Sequence, residues 1–594
     1  MASSLITSLS AAPDVVARVP DWAQDATWYQ VFVERFSNGD SSNDPTRESL
    51  EPHAGAPANW RVTPWTGAWY DQADWERQIG PHFYHNVHRR RYGGDLQGVI
   101  DKLDHLQGLG VTAIYFNPIF HAASLHKYDA SSFHHIDPHF GPDPAGDLAL
   151  MANETEDPAT WNWTAADKLF LELLQQAKSR KMRVILDGVW NHTGVKHFAF
   201  QDVVKHQSKS RYQSWYQLKA FDLKQTDRNE FDYEGWHGFK SLPALRQEGG
   251  NLADGPKAYI FACTKRWMDP DGDGDPADGI DGWRLDVAEE LPPAFWQEWH
   301  ALVRQLNPQA FTSAEIWGDS KDFIINNHFS SAMNYNGFAM VAKAWFIDRT
   351  ISSDEFHRQF GGRFRSHPQR QGLALMNLYD SHDTQRIASA IVNRHMPPGY
   401  DDSKSVGPQG SRDYKIQGPN AEETEMLKLM ALFQFTAPGA PMIYYGTELG
   451  MWGADDPDDR MPAWWPDLEF APMTRGPHGE SLNPPITVGY NAELHAYYQR
   501  LGKMRAKLEV LRRGDFQKFD TNSDEVFAFL REDENLRALI VLNRGSTPIQ
   551  APTSRKPAFL SRAATKEGEI PAFSGAVYVT KRARKPAPPS KTSR

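Results

Sequence analysis

Arg284 and Asp286 lie two residues apart in the stretch DGIDGWRLDVAEELP (278–292). That spacing puts two side chains on one face of an extended chain. Such a pair is either a plain ion pair or a carboxylate held ionised so that it can attack. Other short apolar runs end on residues of the same kind. MRVILDGVW (182–190) carries Asp187 and leads into Asn191 and His192; AFTSAEIW (310–317) carries Glu315 and Trp317; GLALMNLY (372–379) leads into His382 and Asp383. A single acid at a strand end is usually a cap or an ion-pair partner. Asp286, Glu315 and Asp383 converging on one mouth with Arg284 and two histidines suit glycosidic bond cleavage with retention. There one carboxylate attacks the anomeric carbon, and a carboxylic acid about 5–5.5 Å away protonates the leaving oxygen. Asp286 suits the nucleophile, and Arg284 beside it is expected to keep its pKa low. Glu315, sheltered by Trp317, suits the proton donor.

Convergence needs elements that aim all these strand ends one way. TWYQVFV (27–33), VTAIYFNPI (111–119), MRVILDGVW, IDGWRLDV (280–287), AFTSAEIW, GLALMNLY and PMIYYG (441–446) read as buried strands. DLQGVIDKLDHLQGLG (95–110) and TAADKLFLELLQQAKSRK (164–181) read as helices between them. With a weaker eighth strand near Ala332–Tyr335, this alternation predicts an α/β fold, a (β/α)₈ TIM barrel, whose chemistry sits at the C-terminal strand ends. A doubly wound sheet is the competing architecture. Residues 193–254 are polar and aromatic and break the rhythm, which predicts an inserted subdomain after strand 3. Beyond about Lys507, runs such as VFAFLRE, RALIVLNRG and GAVYVTK predict a C-terminal antiparallel β domain. The expected organisation is an N-terminal extension (1–21), a catalytic barrel (22–506), the β domain (507–581) and a disordered basic tail (582–594).

Bulk properties narrow the function. A net charge of −11 over 594 residues argues against nucleic acid as the main partner. The 20 Trp, 20 Tyr and 32 Phe supply flat faces for stacking on sugar rings as well as core. The single cysteine, Cys263, requires no oxidising compartment. The N-terminal stretch has no basic residue before Arg18 and no sustained apolar run, and no membrane span is evident, so a cytoplasmic location is expected.

DGVWNH, GWRLDVAEE, AEIW and YDSHD resemble, in their usual order, the four motif regions of the α-amylase superfamily, glycoside hydrolase family 13. GVTAIYFNPIF and GAPMIYYGTELGM resemble its supporting strand motifs, and the likeness covers roughly residues 27 to 510. The resemblance implies Asp286 as nucleophile, Glu315 as general acid/base and Asp383 as transition-state stabiliser. It implies that His192, Arg284 and His382 hold the sugar in the subsite at the cleaved end, with Tyr128 of HKYDAS stacking under it. YQVFVERFSNGDSSNDP, YGGDLQGVIDKLDHL, LHKYDAS and SLPALR are most similar to the cyclomaltodextrinase, neopullulanase and maltogenic amylase group. DDPDDRMP resembles that group's loop after the eighth strand, where Asp456 and Arg460 would meet the next sugar outward. Two departures stand out. Val287 and Ala288 lead to Glu289 and Glu290 where the group carries Val-Ala-Asn-Glu, and the barrel is expected to start without the group's N-terminal β domain, so the dimer that domain builds is not assumed.

Asn38, Asp40, Asn43 and Asp44 in SNGDSSNDP, with Gly93 and Asp95 in YGGD, cluster oxygen ligands in a turn that suits structural Ca²⁺. The alternative is an Asx-rich turn. The pattern also resembles a calcium loop of cyclodextrin-processing relatives, and the resemblance leaves Asn191 as a further ion candidate. DPDGDGDPADGI (269–280) opens like an EF-hand, but its twelfth position is Ile280 rather than Glu, so a turn or weaker ion site is expected. His82, His85, His88, His134 and His135 match no zinc pattern and read as a solvated aromatic loop. The leading function is a retaining hydrolase of α-1,4-glucans, acting on cyclodextrins or maltooligosaccharides. A glucanotransferase or isomerase on the same scaffold and a non-catalytic sugar-binding protein are the alternatives.

Overall fold

The computed structural model describes residues 18–51, 55–222, 224, 228–399 and 407–582. Residues 1–17 of the expected extension and 583–594 of the expected tail lie outside them. Eight short strands build the centre: β1 (Trp28–Val31), β2 (Ala113–Phe116), β3 (Arg183–Gly188), β4 (Gly282–Leu285), β5 (Phe311–Ala314), β6 (Ser331–Ala332), β7 (Met376–Asn377) and β8 (Ala440–Tyr444). They lie in the order β6-β5-β4-β3-β2-β1-β8-β7, all parallel. A parallel bridge between Met333 and Met376 joins the two ends, and the Asn334 N–H donates to the Met376 carbonyl at 2.9 Å. The sheet is therefore a barrel and not a doubly wound sheet. Every strand position but Arg183 is buried, because both faces are covered, by the barrel interior and by helices.

Between and after the strands run α1 (Ala165–Ser179), α2 (Asp254–Met268), α3 (Pro293–Leu306), α4 (Ala421–Thr436) and α5 (Ala492–Lys507). Thr164 and Asp167 form a capping box that starts α1, and Asn420 and Glu423 do the same for α4. Two local expectations need correction. The run 372–379 is not a continuous strand: Gln369–Ala374 is helical, entered through Pro368 with its ring-fixed φ, and only Met376–Asn377 pair in the barrel. The helix expected at 95–110 breaks at Lys102 into Leu96–Asp101 and Leu103–Gly108.

From Leu427 to Thr436 α4 is buried on every side, as a helix must be when packed between two layers. One layer is the barrel. The other is a five-stranded antiparallel sheet of β9 (Asp515–Phe519), β10 (Val526–Glu532), β11 (Leu536–Asn543), β12 (Phe559–Leu560) and β13 (Ser574–Lys581), ordered β9-β10-β11-β13-β12. Phe433 of α4 stacks on Phe338 at 5.3 Å and meets Phe529 of β10 edge-on at 6.0 Å, tying barrel to sheet.

The residues between β3 and α2 form a separate lobe with a helix (Phe198–His206) and two small hairpins. Its outgoing and returning strands pair at the base. The Thr193 N–H donates to the Pro243 carbonyl at 3.1 Å, the Leu245 N–H to the Asn191 carbonyl at 3.0 Å, and His192 bridges to Ala244. Phe198, Phe200, Trp215 and Tyr216 pack inside it or against Tyr259 of α2. No helix among the described residues is long and apolar enough to cross a membrane.

Candidate active site

Strand register builds the floor. Asp187 of β3 is the direct neighbour of Arg284 on β4, and Arg284 the neighbour of Ser313 on β5. Asp286 and Glu315 each stand one residue past the end of their strand. The wholly buried guanidinium of Arg284 lies at the centre. Its Nη1 is 3.0 Å from both oxygens of Asp187 and 2.9 Å from Oδ1 of Asp286, and its Nη2 is 3.0 Å from Oε2 of Glu315. One cation thus serves acids from three successive strands.

That sharing overturns one expectation from the sequence. Asp286 is not held low by Arg284. Burial, and then the charge of Glu315, push its pKa well above the usual carboxylate range, with the divided Arg284 only partly opposing. Asp187 is raised for the same leading reason. Three carboxylates against one guanidinium leave excess negative charge in a desolvated place, which favours keeping a proton within the set.

Glu315 is oriented from two further sides. Its Oε2 accepts the Val287 backbone N–H at 2.9 Å, and its Oε1 accepts the Trp317 indole N–H at 3.2 Å. Trp317 itself stacks on Tyr335 at 4.1 Å. To aim its N–H, Val287 adopts a left-handed backbone, φ 38°, a strained choice for a β-branched residue.

On the opposite wall stand Tyr128, His382 and Asp383. Gln30 donates from Nε2 to Asn117 Oδ1 at 2.9 Å and to His382 Nδ1 at 3.0 Å. The His382 proton then sits on Nε2, which faces the Tyr128 hydroxyl at 2.6 Å and Asp383 Oδ2 at 3.2 Å. Burial keeps this imidazole neutral by lowering its pKa well below the usual value. The Tyr128 hydroxyl donates to Asp187 Oδ2 at 3.0 Å. Asp383 faces the cleft with its pKa pushed up to about 7, first by burial and then by Glu315. Arg460 donates from Nε to the His382 carbonyl at 2.7 Å and reaches Asp383 and Asp456, both at 3.3 Å. His192 lies 3.2 Å from the Tyr128 carbonyl through Nε2 and stacks on Trp236.

These groups surround a cleft of about 800 Å³. The residues expected at the site from the sequence line it, apart from Arg284, which lies beneath. The cleft also has members that the sequence reading missed, chiefly Glu51, His126, Asp129 and Asp455. Asp129 closes the HKYD turn by accepting the Ser124 N–H at 3.2 Å, and Lys127, buried with a left-handed backbone, anchors it to Asp137 at 2.8 Å. The quartet around Tyr128 was the available signal. Glu51 sits far upstream in a segment with no motif. In DDPDDR the acids divide. Asp455 and Asp456 line the cleft, whereas Asp458 turns away to accept from Trp69 and Tyr84 at 2.7 and 2.8 Å. The aromatics of the 193–254 lobe divide too, since only Trp236 and Phe239 reach the cleft, and Phe239 is 58% exposed.

Away from the cleft, the six residues expected to bind calcium meet at one junction. Asn38 donates to Asp44 at 2.8 Å. Asp95 accepts from the N–H groups of Gly39, Asp40 and Gly98 and from the Asn43 amide. Asp40 accepts from Ser42 at 2.9 Å. A Cβ on Gly93 would fall 2.0 Å from Asp44 Oδ1, so only glycine lets the two segments approach this closely. Asp269, Asp271 and Asp273 gather in an exposed loop whose oxygens receive its own N–H groups, as in an Asx turn. Asn191 gives its carbonyl to Leu245, and its amide lies 3.4 Å from His192 Nδ1. His134 and His135 are buried, not solvated as expected.

Fold and floor together define a (β/α)₈-barrel protein with an acid-rich cleft of oligosaccharide size. The chain belongs to the α-amylase family of glycoside hydrolases. The family description "Alpha amylase, catalytic domain" matches residues 30–157 and 164–405. The chain is 32% identical over 529 residues to neopullulanase 2 of Thermoactinomyces vulgaris, covering 89% of this chain and 71% of that protein. It is 31% identical over 535 residues to a cyclomaltodextrinase of a Bacillus species, covering 89% and 75%. The solved, ligand-free structure of cyclic alpha-maltosyl-(1→6)-maltose hydrolase from Arthrobacter globiformis shares the fold with a TM-score of 0.68 at 24% identity, covering 95% of this chain and 100% of that one.

Proposed function

We propose that this protein is a retaining α-glucan hydrolase of the cyclomaltodextrinase and neopullulanase type, cleaving α-1,4 bonds of cyclodextrins or maltooligosaccharides. The observation that carries this reading is the shared guanidinium: Arg284 holds Asp286 and Glu315 at 2.9 and 3.0 Å on the floor of one cleft. Asp286 attacks the anomeric carbon as Glu315, steadied by Val287 and Trp317, gives its proton to the leaving oxygen. Glu315 then takes a proton from water, which hydrolyses the glycosyl-enzyme ester. Asp383 and His382 bind the sugar's hydroxyls and strengthen that hold as charge develops. Tyr128 stacks beneath the ring, with His192 and Arg284 bordering the same subsite, and Asp456 and Arg460 meet the next sugar outward. A product profile on β-cyclodextrin, maltotriose, pullulan and starch tests the reading. Early α-anomeric products by NMR are expected, whereas β-products would replace it with an inverting mechanism and new disaccharide linkages with a transferase.

The junction of Asn38–Asp44 with Gly93–Asp95 fits calcium. Asn43 Oδ1 is buried without a hydrogen-bond partner, and Asp44 is raised by burial and by its acidic neighbours Asp95 and Glu34. Asn38, Asn43, Asp44 and the Gly93 backbone would hold the ion, with Asp40 and Asp95 shaping the loop around it. Its contribution there is structural, tying the exit of β1 to the turn before Leu96.

A further inference from the structure

His134 and His135 follow each other in the loop after β2, and Glu154 lies some twenty residues downstream. The fold brings all three together under the Trp161 ring, which stacks on His134 at 4.3 Å. All three side chains are at most 5% exposed. One nitrogen from each imidazole and one Glu154 oxygen lie within 4.8 Å of one another. The nitrogens are both Nε2. That of His134 is 3.1 Å from Glu154 Oε2, and that of His135 contacts the same oxygen.

The outer partners matter as much. His135 Nδ1 is 2.7 Å from Asp167 Oδ2, a buried carboxylate that can only accept, so Nδ1 carries the proton and Nε2 is left with its lone pair. His134 Nδ1 is 2.7 Å from the Tyr259 hydroxyl, which already accepts the Phe133 N–H. In the neutral state of His135 its lone pair therefore points at a carboxylate oxygen. Only a cation, a second ring proton or a metal, makes that contact attractive. Two imidazole nitrogens and one carboxylate oxygen, with an outer carboxylate fixing a histidine tautomer, are the donor set and support of a divalent transition-metal site. Ligand atoms on a tetrahedral ion at bonds of about 2.0–2.1 Å stand about 3.3 Å apart, close to the His134–Glu154 separation.

We propose that His134, His135 and Glu154 form a second metal site, selective for zinc-like ions over calcium, completed by water and oriented by Asp167 and Tyr259. Nitrogen donors set the selectivity, because calcium prefers oxygen ligands. The site clamps the loop that follows Tyr128 to the segment leading into α1 and to α2. It takes no part in bond cleavage.

The test uses the full-length protein, stripped with chelator and then given Zn²⁺ or Co²⁺. We expect one tightly held zinc per chain by elemental analysis after gel filtration, unaffected by millimolar Ca²⁺, together with the visible absorption of four-coordinate Co²⁺. Glu154→Gln keeps the shape and the hydrogen bond from Asn162 while removing the anionic ligand. It should weaken zinc retention by about 100-fold or more, since losing even an outer partner costs about 10–100-fold. Tyr259→Phe should weaken it by about tenfold. Zinc should raise the melting temperature of the wild type and leave that of Glu154→Gln unchanged. A wild type that retains no zinc, or a Glu154→Gln variant that retains it equally, overturns the proposal and leaves an imidazolium–carboxylate network.

Discussion

Val287 gives its backbone N–H to Oε2 of Glu315 at 2.9 Å from a left-handed conformation, φ 38°. The strain and the aim are the same fact: a relaxed valine would turn that N–H away. Val287→Gly reaches the same φ without conflict. The relief of about 1–2 kcal/mol is offset by about 0.5–1 kcal/mol of chain entropy, so the melting temperature should barely move. With Glu315 less firmly held, kcat should fall about tenfold at little cost in KM. An unchanged kcat would show that Val287 is merely strained.

Asp286→Asn should lower turnover by several orders of magnitude, because the covalent route disappears. The variant should also melt higher than the wild type at neutral pH. The pKa of Asp286 is raised in the folded state, so its ionised form opposes folding, and asparagine removes that opposition. A variant that melts lower would mean that the Arg284 contact outweighs the crowding.

The pH dependence of stability follows from Asp383. Its folded pKa of about 7 stands above the ordinary 3.8. Between those values the folded chain binds more protons than the unfolded one, so this contribution falls as pH rises and is fully lost above about 7. Asp458, pushed up to about 6, and Asp286 add the same sign. The drop in melting temperature from pH 5 to 7.5 should therefore shrink, without vanishing, in Asp383→Asn. An identical drop in both proteins would place the titration elsewhere.

Much of this site was legible in the sequence because strand ends are where a barrel must present its chemistry. Asp187, Arg284, Asp286, Glu315, His382 and Asp383 each close or follow an apolar run. What one strand cannot reveal is how a cation is divided among three, and so the direction of the Asp286 shift was misread. Ser331–Ala332 is only two residues long and holds its place through its neighbours, which leaves periodicity little to detect. Gly372–Ala374 open the apolar run but belong to the last turn of a helix that Pro368 starts, Gln369–Ala374. Glu154 meets two histidines some twenty residues away through tertiary packing alone, and no spacing rule announces it.

Calcium at the Asn38–Asp44 junction would bind the folded chain alone, adding about 2.7 kcal/mol at a hundredfold excess over Kd. A calcium-selective chelator should lower the melting temperature more than it lowers activity at room temperature. An unchanged melting curve, with no calcium by elemental analysis, would remove the ion from this loop.

Trp236 and Phe239 stand 6.3 Å apart at 28° on the cleft wall, a platform that should favour short or cyclic glucans over long chains. The wild type should show a higher kcat/KM on β-cyclodextrin or maltotriose than on soluble starch, per cleavable bond. Trp236→Ala should narrow that ratio while a small chromogenic maltoside is still hydrolysed. An outright preference for starch in the wild type would mean that the wall does not restrict the cleft.

The lobe bearing that platform leaves the barrel at Asn191–Thr193 and returns at Pro243–Leu245, with its two ends bonded to each other. A loop whose ends are stapled together can lengthen, shorten or be exchanged at little cost to what lies below, since closure entropy grows only slowly with length. Lineages can therefore diversify the wall by insertion, deletion or recombination while Arg284 and its three acids stay in register beneath it. A grafted lobe from a relative should bring its donor's taste for substrate and leave the host's catalytic machinery running.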